Sequence, residues 1–411
     1  MSFTPIDTCR SCGGGNLHPV VDLGTQPLAN ALRRPGDDSP EPRYPLALVC
    51  CGACSLVQLT GSVSPSELFD TYQYFSSFST TMLDAMAALA SRLIAERGLG
   101  PGTLVVELAS NDGYLLTNYV ERGIPVLGVD PAANVASVAI ERGVPTRVAY
   151  FGEGVARQVV AEHGRAAVVH ANNVLAHVPD VNDFVGGIAT LLAPEGVAVI
   201  ETPYLIRLIE HCEFDTIYHE HVFYYSLSAL TALFSRHGLT IVDLEELPIH
   251  GGSLRLFVRS DRAEPSATVA GFLERERAVG VASAEYYADF ADRVARLKDR
   301  TMALLGSLRA KGHRLAAYGA AAKGTVLCNH FGIGTDLVEF VVDRSPYKQG
   351  LLMPGVHLPI GPPELLLQER PDETLLLAWN FADEIVSQQA AYVLAGGRFI
   401  VPIPEPRMLP A

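Results

Sequence analysis

The densest group of side chains able to do chemistry is Tyr218-His219-Glu220-His221, preceded by Phe214-Asp215 and followed by Phe223, Tyr224 and Tyr225. Histidine titrates near neutrality and is the commonest general base, while a tyrosine or a second histidine can polarise a carbonyl. A neighbouring carboxylate such as Glu220 can orient an imidazole and raise its basicity. Only 18% of the residues are charged, so this cluster stands out against a sparse background. Zinc proteases need H-E-x-x-H on a helix, and the spacing here is H-E-H, which excludes that reading. A metal held by His219 and His221 with a third ligand, and simple structural histidines, are the alternatives. His177 adds a third imidazole after the run Asn172-Asn173-Val174-Leu175-Ala176.

A second group specifies a ligand. Leu104 to Val106 reads as a buried strand with Glu107 at its carboxyl end, followed by Ala109-Ser110-Asn111-Asp112-Gly113. A helical run with Leu115, Leu116 and Tyr119 comes next, then a strand from Val126 to Val129 closed by Asp130. This is half of a nucleotide-binding sheet, and the terminal acid lies where a ribose hydroxyl pair is usually held. A pyrophosphate wants G-x-G-x-x-G, so that bare amides can approach it. Ala109 and Asn111 occupy the first two glycine positions, and the acid Glu107 would repel phosphate. A ligand carrying an ammonium and a sulfonium suits this loop, so S-adenosylmethionine (SAM) fits where NAD does not. An ordinary strand-to-helix turn is the alternative.

Cysteine spacing marks a third site. Cys9 and Cys12 form one C-x-x-C, and Cys51 and Cys54 form another. Two such pairs suggest tetrahedral zinc held by four thiolates, a closed shell and therefore a structural site. Cys50 adjoins the second pair and leaves open which thiolate binds; redox pairs or free thiols are the bland alternative.

The elements that must position these groups form a chain of 411 residues, long enough for two or three domains. Residues 1–70 are rich in Pro and Gly, with short strands at 45–49 and 55–59, and a region so small needs its metal. The aromatic and serine cluster Tyr72-Gln73-Tyr74-Phe75-Ser76-Ser77 follows. Beyond it, Met82, Leu83, Met86, Leu89, Leu93 and Ile94 share one helical face. Strands are expected at 104–107, 126–129, 167–171, 197–201, 240–244 and 254–258, and their alternation with helices implies a mainly parallel sheet. Asn172 and Thr202 then lie at its carboxyl edge with Glu107 and Asp130. Residues 264–309 read as helical. Strand 314–318, the loop Gly319 to Gly324 and strand 338–342 ending in Asp343 repeat the first nucleotide-binding half. Lys323 near the helix start could meet a phosphate. The expected class is therefore α/β: a Rossmann-like parallel-sheet domain (71–262) between a small zinc domain (1–70) and a C-terminal Rossmann-like α/β domain (263–411).

No run of eighteen apolar residues occurs, so no membrane span is expected. The start MSFTPIDTCR lacks the basic-then-apolar pattern of a signal peptide, which points to the cytoplasm. A net charge of −14 disfavours nucleic acid as a partner.

Taken together, the paired C-x-x-C region, Tyr72 to Ser77, Glu107 to Gly113, Ala171 to His177, Tyr218 to His221 and His250-Gly251-Gly252-Ser253 resemble one family. It is that of the SAM-dependent C-methyltransferases acting on nucleotide-linked keto-deoxysugars in antibiotic biosynthesis. The resemblance implies methylation at C-3 of a dTDP-linked 4-keto-6-deoxysugar, with a structural zinc. It implies His221 as general base, with Tyr218, Glu220, His177 and Tyr72 around the sugar. Tyr74, Thr202 and Lys323 are the expected substrate contacts, and Glu107, Ala109, Asn111, Gly113, Asp130 and Asn172 the expected SAM contacts. One departure is Ala109, at a position the family often fills with Gly. Its methyl group could crowd the methionine backbone.

Overall fold

The computed structural model describes residues 3–69, 77, 80–248, 251–260 and 263–409. Tyr72, Tyr74 and His250 therefore lie outside the described residues.

The amino-terminal region is built on strands β1 (Phe3–Pro5), β2 (Leu17–Pro27), β3 (Arg43–Cys51), β4 (Val57–Leu59) and β5 (Gly61–Val63). Strands β2, β3 and β4 make an antiparallel sheet, and β1 pairs with β5. The fourth strand of that sheet comes from far along the chain. It is β11 (Phe223–Tyr224), which pairs with β4 directly after the Tyr218–His221 segment.

The central sheet holds β6 (Val105–Leu108), β7 (Val126–Asp130), β8 (Thr146–Val148), β9 (Ala166–Asn172), β10 (Leu192–Pro203), β12 (Thr240–Leu247) and β13 (Ser253–Arg259). Its order is β12-β13-β10-β9-β6-β7-β8. From β8 to β10 all pairings are parallel, whereas β13 and β12 join antiparallel. The parallel strands are apolar on both faces, as helices cover both sides. Met86, Leu89 and Leu93 of the helix Thr80–Arg97 are buried, as the helical spacing of the apolar residues requires.

The C-terminal sheet contains β14 (Leu315–Tyr318), β15 (Val341–Val342), β16 (Ile360–Gly361), β17 (Glu373–Leu376), β18 (Arg398–Val401) and β19 (Arg407–Leu409). Its order is β16-β15-β14-β17-β18-β19, parallel except for the last pair. The two mainly parallel sheets and the N-terminal cysteine cluster make the mixed α/β, Rossmann-like architecture expected from the sequence.

Several elements depart from the expected limits. The run after Gly113 is mostly turns, with helix only at Thr117–Val120. The region 264–309 is two helices, Ala267–Val279 and Phe290–Ala310, separated at Gly280, which adopts φ 78° and ends the first one. Strand 338–342 is reduced to Val341–Val342.

Candidate active site

The Tyr218–His221 segment is a turn closed by His221 N–H donating to the Tyr218 carbonyl at 2.9 Å. A turn points successive side chains in different directions, and here three neighbours serve three regions. His219 Nε2 faces the Tyr44 and Pro45 carbonyls at 3.3 Å, packed on the edge of the Tyr44 ring. Glu220 is buried, and its Oε1 accepts from Asn30 Nδ2 at 2.7 Å. His221 turns to its own segment, with Nδ1 3.1 Å from the Thr216 carbonyl and Nε2 2.8 Å from the Tyr218 hydroxyl.

Those contacts determine the tautomer of His221. A carbonyl only accepts, so Nδ1 carries the hydrogen, and Nε2 of the neutral ring is left as the basic atom. The His177 ring stands edge-on to His221, with centroids 4.7 Å apart. Burial lowers the His177 pKa to about 4, against the opposing pull of the Glu220 and Asn173 carbonyls, so His177 is neutral at physiological pH. Burial raises Glu220 to about 7, and the Asn30 amide works against that rise. His219 is also held below the usual histidine range by burial. It does not join His221 in a metal site: among the described residues the only cluster able to hold a metal is that of cysteines.

Behind this segment lies the point where strand order reverses, between β6 and β9, which is where open parallel sheets bind ligands. Glu107 and Asp130 are buried there. Asp130 binds the loop itself, with Oδ2 accepting from Asn111 N–H at 2.8 Å and Oδ1 from Ala132 N–H at 2.9 Å. Both Ala109 and Asn111 adopt positive φ, 55° and 49°. Gly128 is required by proximity, since a Cβ there would collide with the Ser110 hydroxyl. Gly113 is buried, at φ 76°. Burial, then Asp130, Asp112 and Glu201, push Glu107 well above the usual carboxylate range. Asp112 is paired with Arg142 at 2.9 Å and bonded by the Ser77 hydroxyl, which brings the end of the Tyr72–Ser77 cluster onto this loop.

SAM suits this cradle. Among the described residues, Glu107 Oε2, Ser110 Oγ, Asn172 Oδ1 and Thr202 Oγ1 are buried without a hydrogen-bond partner. Buried polar atoms of this kind call for partners, which a polar ligand at the strand ends provides. A cation beside Glu107 also offsets the mutual repulsion of the acids.

The four sulfur atoms of Cys9, Cys12, Cys51 and Cys54 lie within 4.8 Å of one another. The Cys9–Cys54 and Cys12–Cys51 separations are 3.7 and 3.6 Å. Zinc–sulfur bonds of about 2.3 Å in a tetrahedron place sulfur atoms roughly 3.8 Å apart, so the cluster has the right size. Cys50 is excluded by strand alternation: consecutive residues of β3 face opposite sides, and Cys50 is buried away from the cluster. Burial raises its thiol to about 11.

A family model described as a C-methyltransferase C-terminal domain matches residues 248–404, one of a zinc binding domain matches 9–69, and one of a methyltransferase domain matches 80–244. C-methyltransferase NovU of Streptomyces niveus is 40% identical over 99% of this chain and 98% of its own. The chain belongs to this C-methyltransferase family. It is a SAM-dependent C-methyltransferase with a zinc-binding amino-terminal domain. The ubiquinone biosynthesis O-methyltransferase of Cupriavidus pinatubonensis is 30% identical over 34% of this chain and 52% of its own. Magnesium protoporphyrin IX methyltransferase of Synechocystis PCC 6803 superposes with a TM-score of 0.34 at 15% identity, covering 43% of this chain and 79% of that one.

Lys323 of the C-methyltransferase sits at the second reversal of strand order, between β14 and β17. It does not stand open to an anion. Its Nζ donates to Asn380 Oδ1 at 3.0 Å and lies 4.5 Å from the Trp379 ring centre, with Asp215 and Glu213 as nearby carboxylates. The Trp379 indole in turn donates to Asp215 at 2.7 Å. Lys323 thus joins the C-terminal domain to the segment that leads into Tyr218–His221. Asn30, the Thr216 carbonyl and Trp379 were not identifiable as site residues from sequence. Asn30 and Glu220 are 190 positions apart, and no local pattern links them.

Proposed function

We propose that this enzyme methylates C-3 of a dTDP-linked 4-keto-6-deoxysugar through an enolate, with domains spanning 1–70, 71–262 and 263–411. One observation carries the reading: the basic Nε2 of His221 shares a hydrogen bond with the Tyr218 hydroxyl, beside neutral His177 and the SAM cradle. The relationship to C-methyltransferase NovU supports methyl transfer to carbon.

The chemistry follows from the substrate class. Loss of a proton from carbon beside a ketone leaves charge on the carbonyl oxygen, so catalysis needs a base at carbon and a donor at oxygen. His221 Nε2 takes the C-3 proton. The Tyr218 hydroxyl, released from Nε2 as the substrate enters, donates to O-4, and neutral His177 packs edge-on against the base. Glu220 orients its neighbours, and Tyr72 and Tyr74, outside the described residues, are assigned to the sugar from the sequence alone. SAM, held by Glu107, Ala109, Asn111, Gly113, Asp130 and Asn172, supplies an electrophilic methyl group. Thr202 binds the nucleotide sugar, while Lys323, engaged by Asn380 and facing Asp215 and Glu213, acts at the domain junction.

The test is proton exchange on a dTDP-4-keto-6-deoxysugar in deuterated buffer, followed by NMR, first without SAM and then with it. Loss of the C-3 signal, then a methyl resonance on that carbon, is the expected result. Exchange at C-5 would move the methyl to that carbon. Methylation at oxygen or nitrogen without exchange would replace the enolate mechanism altogether.

A further inference from the structure

We propose that Asn30, contributed by the zinc domain, is a positioning residue for the Glu220 carboxyl group, and that the C-terminal domain holds it in place through Thr325. The proposal deepens the catalytic reading of Tyr218–His221 and rests on it. Asn30 Nδ2 donates to Glu220 Oε1 at 2.7 Å, which fixes the plane of a carboxyl group that is otherwise enclosed. The backbone bearing Asn30 is clamped on both sides by the C-terminal domain. The buried Thr325 hydroxyl donates to the Ala29 carbonyl at 2.9 Å. Arg33 and Leu352 exchange both backbone hydrogen bonds, at 3.0 and 2.8 Å. Three domains therefore meet at one carboxyl group: the methyltransferase domain supplies Glu220, the zinc domain supplies its donor, and the C-terminal domain fixes the donor.

A donor to a carboxylate favours the charged form. Burial pushes Glu220 up, and the Asn30 amide keeps it from rising further, so that it titrates at about 7. The neighbouring titratable groups are His177, which faces the Glu220 backbone carbonyl, and the flanking His219 and His221.

The experiment follows the Glu220 carboxyl carbon by NMR across pH in the full-length, zinc-loaded protein labelled with carboxyl-13C glutamate, its signal assigned by Glu220→Gln. Asn30→Ala should raise the Glu220 midpoint by about one unit, the scale of a hydrogen bond to a charged group. Asn30→Asp, the same shape without a donor and with a like charge, should raise it at least as far. Thr325→Val should raise it by less. In methyl-transfer assays, kcat of Asn30→Ala should fall about fivefold at pH 7 and recover as pH rises, with KM unchanged. A Glu220 midpoint unmoved in both Asn30 variants would overturn the proposal. A shift in the Asn30 variants with none in Thr325→Val would overturn the role of the C-terminal domain. If the wild-type enzyme does not act on a keto-sugar, the catalytic reading fails, while the NMR midpoints still decide whether Asn30 governs Glu220.

Discussion

At the residue scale, the site depends on which atom of each side chain is free to act. His221 is held at Nδ1 by the Thr216 carbonyl, and this leaves Nε2 basic; the Tyr218 hydroxyl donates to it. Replacing His221 with Asn retains a polar side chain but removes the base. Turnover should fall by roughly 100-fold or more, while SAM affinity, measured calorimetrically, stays near wild type. Turnover close to wild type would remove His221 from this role. The residue types in Tyr218-His219-Glu220-His221 were legible as chemistry, but their division of labour was not. His219 serves the zinc domain and Glu220 meets Asn30, because a turn separates the directions of adjacent side chains.

At the element scale, the same device appears twice. Asp130 at the end of β7 binds the loop amides of Asn111 and Ala132, and Asp343 after β15 binds those of Ala320 and Ser345, with distances of 2.8 to 2.9 Å throughout. The internal repeat read from strand, loop and acid thus extends to individual hydrogen bonds. Ala109 shows what the first loop demands. Its φ of 55° lies in the left-handed region, which disfavours any residue with a Cβ. Ala109→Gly should therefore stabilise the protein by about 1 kcal/mol in denaturant titrations, net of the extra freedom glycine gives the unfolded chain.

The zinc domain is an element with consequences beyond its own fold. Its sheet takes β11 as an edge strand, two residues after His221. Removal of the metal should thus disturb the catalytic segment. Cys51→Ala is expected to lose zinc, measured as metal per chain, together with methyl transfer. Cys50→Ala should retain one zinc, as Cys50 faces the opposite side of β3. Zinc loss in both variants would mean that the metal uses a different set of thiols.

At the scale of the whole molecule, the domain junction concentrates buried acids. Burial pushes Glu213 up to about 8 and Asp215 up to about 6, with Lys323 opposing both shifts. A carboxyl group whose pKa is raised on folding binds its proton more tightly in the folded state. Its contribution to stability is complete below the ordinary carboxylate range and is lost as pH rises through the raised value. The contribution of these two groups to thermal stability should therefore be lost between about pH 5 and pH 8, a fall opposed in the acid part of that range by the buried neutral His177 and His219. Glu213→Gln, which cannot titrate, should flatten that fall, and an unchanged slope would show that Glu213 does not set it.

The sequence by itself determined the fold class, the cofactor and the metal. Apolar periodicity marked the parallel strands, the loop from Glu107 to Gly113 indicated a cationic nucleoside ligand, and the paired C-x-x-C motifs marked the metal. These signals are local, since they reside in spacing along a few turns or strands. Only the tertiary structure decided which groups meet: Asn30 with Glu220, Trp379 and Lys323 with Asp215, β11 with the zinc domain, and Cys51 rather than Cys50 in the cluster. Such contacts join residues from different domains. They depend on how whole sheets pack, which no local period encodes.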